Sequence, residues 1–291
     1  MKAVMGPDEL FETQRPRLLG LAYRMVGSRA DAEDIVGEAW VRWCSSDSSA
    51  LRSPQAWLTT VTTRIALDFL RSARHRREGY VGPWLAEPVV TEAGPEESAE
   101  LADSLTLGFL TVLDQLDPVE RAVFLMADVF AVPYDDIAAT VGKSAVACRQ
   151  IASRARRSLR PAPARATAAE RRLVDELLVA LAVGDMEGVL SRLAPEVVCL
   201  TDGGPHRRAA RRPVVGPHRV ARFLTTLAQR LGPAVSVTPA TVNGEPGIVA
   251  RQGDEVDFVA AFEVDGASVR AIHVVLNPDK LRSLGTDAHL V

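Results

Sequence analysis

The sequence PYDDIAATVGKSAVACRQIASRARRSLR, residues 133–160, predicts two short helices joined by a tight turn. The first helix spans about Tyr134 to Val141, Gly142 gives the turn its backbone freedom, and Ser144 is a favourable N-cap for the second helix. Apolar residues recur at helical spacing along the second helix and predict a buried face, which consists of Cys148, Ile151, Ala152, Ala155 and Leu159.

The opposite face of the second helix is polar and basic. Arginine and glutamine side chains can hydrogen-bond to base edges in a major groove, and further arginines can neutralise phosphates. The segment therefore predicts a helix-turn-helix with a basic recognition helix, although a basic helix on a solvated surface is the plainer alternative. The residues predicted to face DNA are Lys143, Ser144, Arg149, Gln150, Ser153, Arg154 and Arg157.

Composition limits the protein classes that fit. The chain has 291 residues, enough for two or three domains, and its net charge of −3 excludes a general nucleic-acid coat, so any DNA binding must come from local patches. The three cysteines, Cys44, Cys148 and Cys199, fit no zinc spacing and suit a reducing cytosol. No run of about 18 apolar residues predicts a membrane span. We predict a cytoplasmic protein with no metal and no cofactor.

Residues 8–43 predict two helices separated at Gly27 and Ser28. Asp34 and Glu38 lie one turn apart on the second helix, so they share a face. Paired carboxylates can act as a catalytic dyad or as metal ligands, but no histidine and no glycine-rich loop accompanies them here. The alternatives that remain are a solvated acidic face and a docking surface for a basic partner.

A third helix is predicted from Gln55 to about Arg77. Its apolar residues face a core, while Thr60 and Arg64 lie on another side with Asp68 and Arg71. Five basic residues in seven at its end exceed what helix capping needs, so we predict a phosphate-binding patch there; it consists of Arg71, Arg74, His75, Arg76 and Arg77. Trp57 suits either stacking on an unpaired base or a place in the core.

Residues 78–105 are rich in glycine, proline and glutamate and predict an acidic linker. Its apolar island, Trp84-Leu85-Ala86-Glu87-Pro88, is predicted to dock onto another part of the protein. A second helical domain follows over residues 106–160, and its helix start at Asp117-Pro118-Val119-Glu120 combines an Asp cap with proline at the first helical position.

The pattern changes after about Thr167 to helices followed by strands. This order predicts an α+β fold in which a curved antiparallel sheet wraps over a helix and leaves an interior pocket. The predicted helices are Ala168–Val183, Met186–Leu193 and Gly216–Leu231, and the predicted strands are Glu196–Thr201, Val235–Val242, Gly247–Arg251, Glu255–Glu263 and Ser268–Leu276. A loop with four arginines, at positions 207, 208, 211 and 212, precedes the last of these helices.

These segments together resemble an extracytoplasmic-function RNA polymerase sigma factor of the sigma-J-like group. The resemblance rests on Ala30–Trp43, the helix over residues 54–77, the helix-turn-helix, and three short motifs. Residues 84–88 resemble the group's Trp-Leu-Pro-Glu-Pro, residues 202–206 resemble its Asp-Gly-Gly-Gly-Lys, and residues 277–281 match its Asn-Pro-Asp-Lys-Leu. The implied fold is multidomain: two all-α sigma domains, region 2 and region 4, followed by an α+β SnoaL-like (NTF2-like) cone.

The resemblance implies domain limits of 1–77 for region 2, 78–105 for the acidic linker, 106–162 for region 4 and 167–287 for a SnoaL-like regulatory domain. It implies core RNA polymerase and promoter DNA as partners, with no membrane. The resemblance implies that core polymerase binds Asp31, Asp34, Glu38 and Trp40. It implies that the −10 element is contacted by Trp57, Thr60, Arg64, Arg71 and Arg74, and the −35 element by the recognition-helix residues given above. The residues that it implies for regulatory contacts between domains are Trp84, Leu85, Glu87, Pro88, Asp202, Gly203, Gly204, Asn277, Pro278, Asp279, Lys280 and Leu281.

Two rival functions remain open at this point. A ligand-responsive repressor would combine the helix-turn-helix with a sensor domain, and a small ligand in the C-terminal pocket is compatible with either reading. A SnoaL-type enzyme with a DNA-binding appendage would need acid or base groups in that pocket, for which Asp202, His218 and His273 are the candidates. These three scattered residues form no catalytic constellation, so we predict that the protein is not an enzyme.

Overall fold

The computed structural model describes residues 6–47, 51, 53–77, 80–91, 106–158 and 166–284. The chain divides into two compact units. The N-terminal unit comprises Met1–Gly79 and Val112–Pro161, and the C-terminal unit comprises Tyr80–Thr111 and Ala162–Val291. Each unit is described separately below.

Three long helices open the N-terminal unit: α1 (Pro7–Val26), α2 (Arg29–Cys44) and α3 (Pro54–Arg77). The predicted break between α1 and α2 is confirmed, because Gly27 adopts a left-handed φ of 73° and the Ser28 side chain accepts a hydrogen bond from the Asp31 amide. The helices pack through apolar side chains that are almost fully buried, such as Leu21 and Leu58.

The second part of this unit is the predicted helix-turn-helix. α4 (Leu107–Asp114) spans the division between the two units, which falls after Thr111. It is followed by α5 (Pro118–Phe124), a short π-helical turn (Leu125–Val129), α6 (Tyr134–Val141) and α7 (Ala145–Ser158). Gly142 has a φ of 70°, and the Ser144 hydroxyl accepts from the Ala147 amide at 3.2 Å, as the sequence predicts. Cys148, Ile151 and Ala152 pack with residues of α5 and α6 in one apolar cluster, while Leu159 lies outside the described residues.

The C-terminal unit is a seven-stranded sheet with helices on one face. Strands β4 to β7 form the predicted antiparallel meander, and the order across the sheet is β1-β4-β5-β6-β7-β2-β3. The helices are α8 (Ala168–Val183), α9 (Met186–Ser191) and α10 (Pro217–Arg230). The strands are β1 (Val90–Thr91), β2 (Leu193–Asp202), β3 (Val214–Val215), β4 (Val235–Val242), β5 (Glu245–Gln252), β6 (Glu255–Asp265) and β7 (Ser268–Val275).

The apolar core of this unit lies between the helices and the inner face of the sheet. Side chains from α8 and α10, such as Leu177 and Val220, pack against Phe258 on β6 and against Ile272 and Val274 on β7. Burial of these side chains holds the curved sheet on its helices, and each contributes about 1.5–3 kcal/mol.

This unit differs from the prediction at several points, and two of them concern how strands pair. The first strand was predicted from Glu196, but β2 begins at Leu193, because Leu193 pairs with Val269 of the parallel strand β7; the preceding helix accordingly ends at Ser191 instead of Leu193. The second difference is β1, which comes from the segment predicted to be a linker. It pairs with β4 through Val90 and Val242, so residues 80–91 are part of the sheet domain.

Among the residues that the structure describes, no helix is long and apolar enough to cross a membrane.

Candidate functional sites

A buried carboxylate organises one end of the C-terminal unit. Asp202, the last residue of β2, is completely inaccessible to solvent. Its Oδ1 accepts from the Tyr80 hydroxyl at 2.5 Å and the Gly204 amide at 3.0 Å, and its Oδ2 accepts from the Leu85 amide at 2.8 Å and Lys280 Nζ at 2.7 Å. Four donors around one buried carboxylate compensate its desolvation.

Lys280 and Asn277 complete this site. The Lys280 ammonium also donates to the Leu85 carbonyl oxygen and lies 4.0 Å from the centroid of the Trp84 ring, a cation–π contact. Asn277 Nδ2 donates to the Tyr80 hydroxyl at 2.9 Å. Burial and the hydrogen bond to Asp202 raise the pKa of Tyr80 above its usual value, so the phenol keeps the proton that it donates. We call the six residues the linker clamp: Tyr80, Trp84, Leu85, Asp202, Asn277 and Lys280.

The two positions after Asp202 require glycine, because neighbouring atoms leave no room for a Cβ atom. A Cβ on Gly204, whose φ is 56°, would lie 2.6 Å from the Asn277 side chain. A Cβ on Gly203 would lie 2.4 Å from the Arg207 carbonyl oxygen. Since side chains cannot be accommodated at these distances, the Asp-Gly-Gly motif is explained by the geometry of the clamp.

Further contacts continue along the same segment. The Glu87 carboxylate accepts from the Ser283 hydroxyl at 2.8 Å, and Leu85, Ala86, Glu87 and Pro88 are all buried. Asn243 exchanges hydrogen bonds with the backbone of Val89, through its own amide at 2.8 Å and its side-chain oxygen at 2.9 Å. The apolar island therefore docks onto the sheet domain, and β1 extends that docking by main-chain pairing.

The outer face of the sheet carries a second buried polar group. Glu245 on β5 accepts from the Leu107 amide at 3.3 Å. Burial raises the pKa of Glu245 to about 8, although the Leu107 hydrogen bond opposes the shift. His273 on β7 is also buried, and burial lowers its pKa to about 4. Both groups are therefore neutral near pH 7, which avoids an uncompensated buried charge.

The Glu245 pKa predicts a pH dependence of stability. In the unfolded chain this carboxyl has a pKa near 4.3, so below that pH it is protonated in both the folded and the unfolded state. As the pH rises from there to about 8, the unfolded chain ionises while the folded protein keeps the proton, so the stability falls progressively. His273 destabilises only below about pH 6.5, so of these two groups only Glu245 contributes to the slope above that pH. The free energy of unfolding should fall by about 1.4 kcal/mol per pH unit just above pH 6.5, and the slope should decrease to about half of that as the pH reaches the folded-state pKa of about 8. In Glu245→Gln this slope should disappear, as measured by amide protection of β5 and β6 in denaturant; an unchanged slope would contradict the assignment.

The polar face of α7 is exposed as predicted. Five of its predicted DNA-facing residues line one open surface depression: Arg149, Gln150, Ser153, Arg154 and Arg157. Lys143 and Ser144 are exposed at the preceding turn. Arg154 is partly engaged with Glu120 at 3.2 Å, and the Arg149 guanidinium lies 5.4 Å from the Tyr134 ring centroid. The neighbouring Arg156 has a structural role instead, because it pairs with Asp128 at 2.6 Å.

The predicted DNA-facing side of α3 contacts α6 within the N-terminal unit. Arg64 donates to the carbonyl oxygens of Ala139 at 2.9 Å and Thr140 at 3.5 Å, near the C-terminal end of α6, where free carbonyls favour a cation. The hydroxyls of Thr60 and Thr140 lie 3.4 Å apart. Thr60 and Arg64 are therefore engaged with the helix-turn-helix in this arrangement. The Arg71 guanidinium is exposed and pairs with the Asp68 carboxylate on the same helix.

Two other predicted site residues belong to this unit. The Trp57 ring is half-buried, with its centroid 5.7 Å from that of Trp43. The Arg74 side chain lies outside the described residues.

The predicted polymerase-docking face lies on α2. Asp34 and Glu38 are exposed, opposite the buried side of the helix, and Glu38 pairs with Arg42. Trp40 is half-buried, with its ring centroid 4.7 Å from that of Phe11. Asp31 lies in the first turn, where its backbone amide is capped by Ser28. The two exposed carboxylates are thus presented on a rigid helix.

The structure does not bring the three candidate catalytic residues together. Asp202 is engaged in the clamp, His218 is exposed at the start of α10, and His273 alternates with the core residues Ile272 and Val274 and so lies on the opposite face of the sheet. Sequence reasoning also missed Tyr80 as a clamp residue. The only sequence signal was an aromatic side chain in a glycine-rich segment four residues before Trp84.

Comparison with known proteins matches two parts of the chain to family models. Residues 10–76 match the family model of sigma-70 region 2, and residues 107–159 match that of sigma-70 region 4. Regions 2 and 4 together define the class of RNA polymerase sigma factors. The chain is 41% identical to the ECF RNA polymerase sigma factor SigJ of Mycobacterium tuberculosis over 286 residues, covering 93% of this chain and 91% of the relative.

A second relative, the probable ECF RNA polymerase sigma factor SigI of M. tuberculosis, is 33% identical over 280 residues and covers 94% of both chains. The crystal structure of M. tuberculosis SigJ superposes with a TM-score of 0.77 at 37% identity, covering 96% of this chain and 98% of that structure. The chain belongs to the extracytoplasmic function (ECF) RNA polymerase sigma factors. It is an alternative sigma factor that directs RNA polymerase to promoters, and its C-terminal domain has an α+β fold.

Proposed function

We propose that this sigma factor is restrained in cis by its C-terminal domain through the linker clamp. The observation that carries the proposal is the buried Asp202 carboxylate, which binds the segment between regions 2 and 4 through Tyr80 and the Leu85 amide. A sigma factor must place two DNA-binding regions on separated promoter elements, so a module that grips the intervening segment limits where those regions can go.

The arrangement within the N-terminal unit supports this proposal. Arg64 and Thr60 contact α6, and Arg121 of α5, almost fully buried, donates to the carbonyl oxygen of Met25 at the end of α1. The Arg17 guanidinium also lies 5.1 Å from the centroid of the Phe130 ring. These contacts hold regions 2 and 4 together, and Arg64 must leave α6 before it can address a DNA strand. An equilibrium between this closed state and an open, binding-competent state would lower the apparent affinity for promoter DNA.

We propose individual roles from exposure, from charge and from the resemblance to the family. We assign Asp34 and Glu38, with Asp31 and Trp40, to core polymerase, because the two exposed carboxylates form an acidic face on α2. The exposed face of α7 is assigned to base and phosphate contacts at the −35 element. The α3 residues Trp57, Thr60, Arg64, Arg71 and Arg74 are assigned to the −10 element, at which a base would be flipped out of the stack at a cost of a few kcal/mol.

The rival functions have less support. A SnoaL-type enzyme would need free acid and base groups in one pocket, but Asp202 is already bound by four donors. A ligand-responsive repressor would bind duplex DNA alone and as a symmetric dimer. A small ligand on the C-terminal domain remains compatible with the proposed restraint, since a ligand that favours the released clamp would shift the equilibrium.

The function is tested by transcription from a library of randomised promoter-length duplexes. Core RNA polymerase with the full chain should yield transcripts whose templates share two spaced sequence elements, and core polymerase alone should yield none of them. A repressor would instead bind library members in the absence of polymerase and start no transcript, which would contradict the proposal.

A further inference from the structure

The C-terminal domain contains a long segment without a single acidic residue. Between Asp202 and Glu245, residues 203–244 include no aspartate and no glutamate, although the whole chain has a net charge of −3. The same segment carries seven arginines, four of them within six positions: Arg207, Arg208, Arg211, Arg212, Arg219, Arg222 and Arg230.

The arginine loop between β2 and β3 is held in a fixed shape by its backbone. The Arg207 amide donates to the Gly203 carbonyl oxygen at 3.0 Å, and the Ala210 amide donates to the Thr201 hydroxyl at 2.8 Å. The strand pair β2–β3 closes the loop behind these bonds. Because these bonds use backbone amides as donors, the side chains of Arg208, Arg211 and Arg212 are not needed to hold the loop.

Most of these arginines point their charge at solvent. Arg207 pairs with Asp257 at 2.6 Å. Arg208, Arg211 and Arg212 are exposed, and within the described part of the chain they form no ion pair and no side-chain hydrogen bond. Three exposed arginines within five positions, without a carboxylate partner in the described part of the chain, make the loop electrostatically suited to an anionic partner.

The basic character continues onto α10. Only the two-residue strand β3 and Gly216 separate the loop from this helix, whose first turn contains no acidic residue. Arg219 and Arg222 are exposed three positions apart, so they lie on the same side of the helix. We call the three exposed loop arginines, Arg208, Arg211 and Arg212, the basic surface; Arg219 and Arg222 follow it in the chain on α10.

We infer that the basic surface binds the phosphate backbone of duplex promoter DNA. The guanidinium group matches phosphate oxygens with paired donors and remains charged at all physiological pH values. The C-terminal domain would thus add sequence-independent affinity to the sequence-specific contacts of regions 2 and 4.

The test compares two triple variants of the full chain bound to core polymerase on duplex DNA. Arg208, Arg211 and Arg212 are changed together to alanine in one variant and together to lysine in the other, which keeps the charge. Binding to the promoter selected above and to a scrambled duplex of equal length is measured by fluorescence anisotropy from 50 to 300 mM salt.

The alanine variant should lower the slope of log affinity against log salt by between about 1 and about 3, since each lost phosphate contact removes about 0.9. The loss should be the same on both duplexes, and the lysine variant should retain most of the wild-type slope.

Two results would overturn the inference: a wild-type slope in the alanine variant, or weaker binding to core polymerase with an unchanged DNA slope, which would assign the surface to an acidic face of the polymerase. Neither readout depends on the linker clamp, so these outcomes are separable from a failure of the proposed restraint.

Discussion

Replacing Asp202 with alanine is expected to raise transcription from the cognate promoter several-fold in a reconstituted assay with core polymerase. The substitution removes the acceptor for Tyr80, the Leu85 amide and Lys280, so the segment between regions 2 and 4 is no longer held. If only a released fraction of molecules is competent for promoter binding, increasing that fraction raises the apparent affinity in proportion.

The same substitution should also destabilise the C-terminal unit. Lys280 is 13% exposed and would keep a largely buried charge without its carboxylate, a situation that typically costs about 3–5 kcal/mol. Denaturant unfolding of the variant measures this loss, and transcription is compared at equal concentrations of folded protein. Asp254→Ala is the matched control, because Asp254 is exposed in the turn between β5 and β6 and should change neither quantity.

A double variant separates the clamp from a general loss of stability. Asp202→Asn with Lys280→Gln removes both charges, so neither is left buried alone, and it should be less destabilised than the sum of the two single variants. The double variant should still raise transcription, because the Asp202 carboxylate and the Lys280 ammonium no longer hold the linker. Transcription that stays at the wild-type level in both Asp202 variants would contradict the proposed restraint.

Arg149→Ala is expected to reduce promoter-specific binding by about tenfold to a hundredfold. Arg149 is exposed on the recognition helix and lines the same depression as Gln150 and Ser153. A bidentate contact between arginine and a base is worth about 1–3 kcal/mol, and each 1.4 kcal/mol corresponds to a factor of ten. The loss should be confined to templates with the intact −35 element, as measured by competition against a duplex in which that element is scrambled.

Arg156→Ala provides the control for Arg149. Arg156 is on the same helix but pairs with Asp128 and donates to the Tyr134 hydroxyl at 3.0 Å, so its removal should leave sequence preference unchanged. Binding of both variants to core polymerase should equal that of the wild-type chain. Loss of polymerase binding in Arg149→Ala would show that α7 faces the polymerase and not the DNA.

The helix-turn-helix could be predicted from sequence because its signals are local. The glycine with a left-handed φ, the serine cap and the alternation of buried and exposed residues all lie within about 25 residues of one another. The same reasoning located α8 and strand β4 to the residue, since Gly184 ends the helix and hydrophobic alternation marks the strand.

The linker clamp could be predicted only in part. Its motifs were recognised by resemblance, but the pairing of Tyr80 with Asp202 spans 122 positions in the chain, and no local pattern encodes such a distance. The parallel pairing of β2 with β7 and the pairing of β1 with β4 were missed for the same reason. A two-residue strand in a proline- and glycine-rich segment carries too few residues for hydrophobic alternation to appear.

Hydrogen exchange at the Leu85 amide tests the central claim most directly. In the wild-type chain this amide donates to a fully buried carboxylate, so it should exchange about as slowly as the amides of β5 and β6, with which it would share one cooperative unit. In Asp202→Ala its protection should be lost while the sheet amides remain protected in the absence of denaturant. An amide at Leu85 that exchanges in the wild-type chain at the rate of an unprotected peptide would contradict the account, because the C-terminal domain would then not hold the linker.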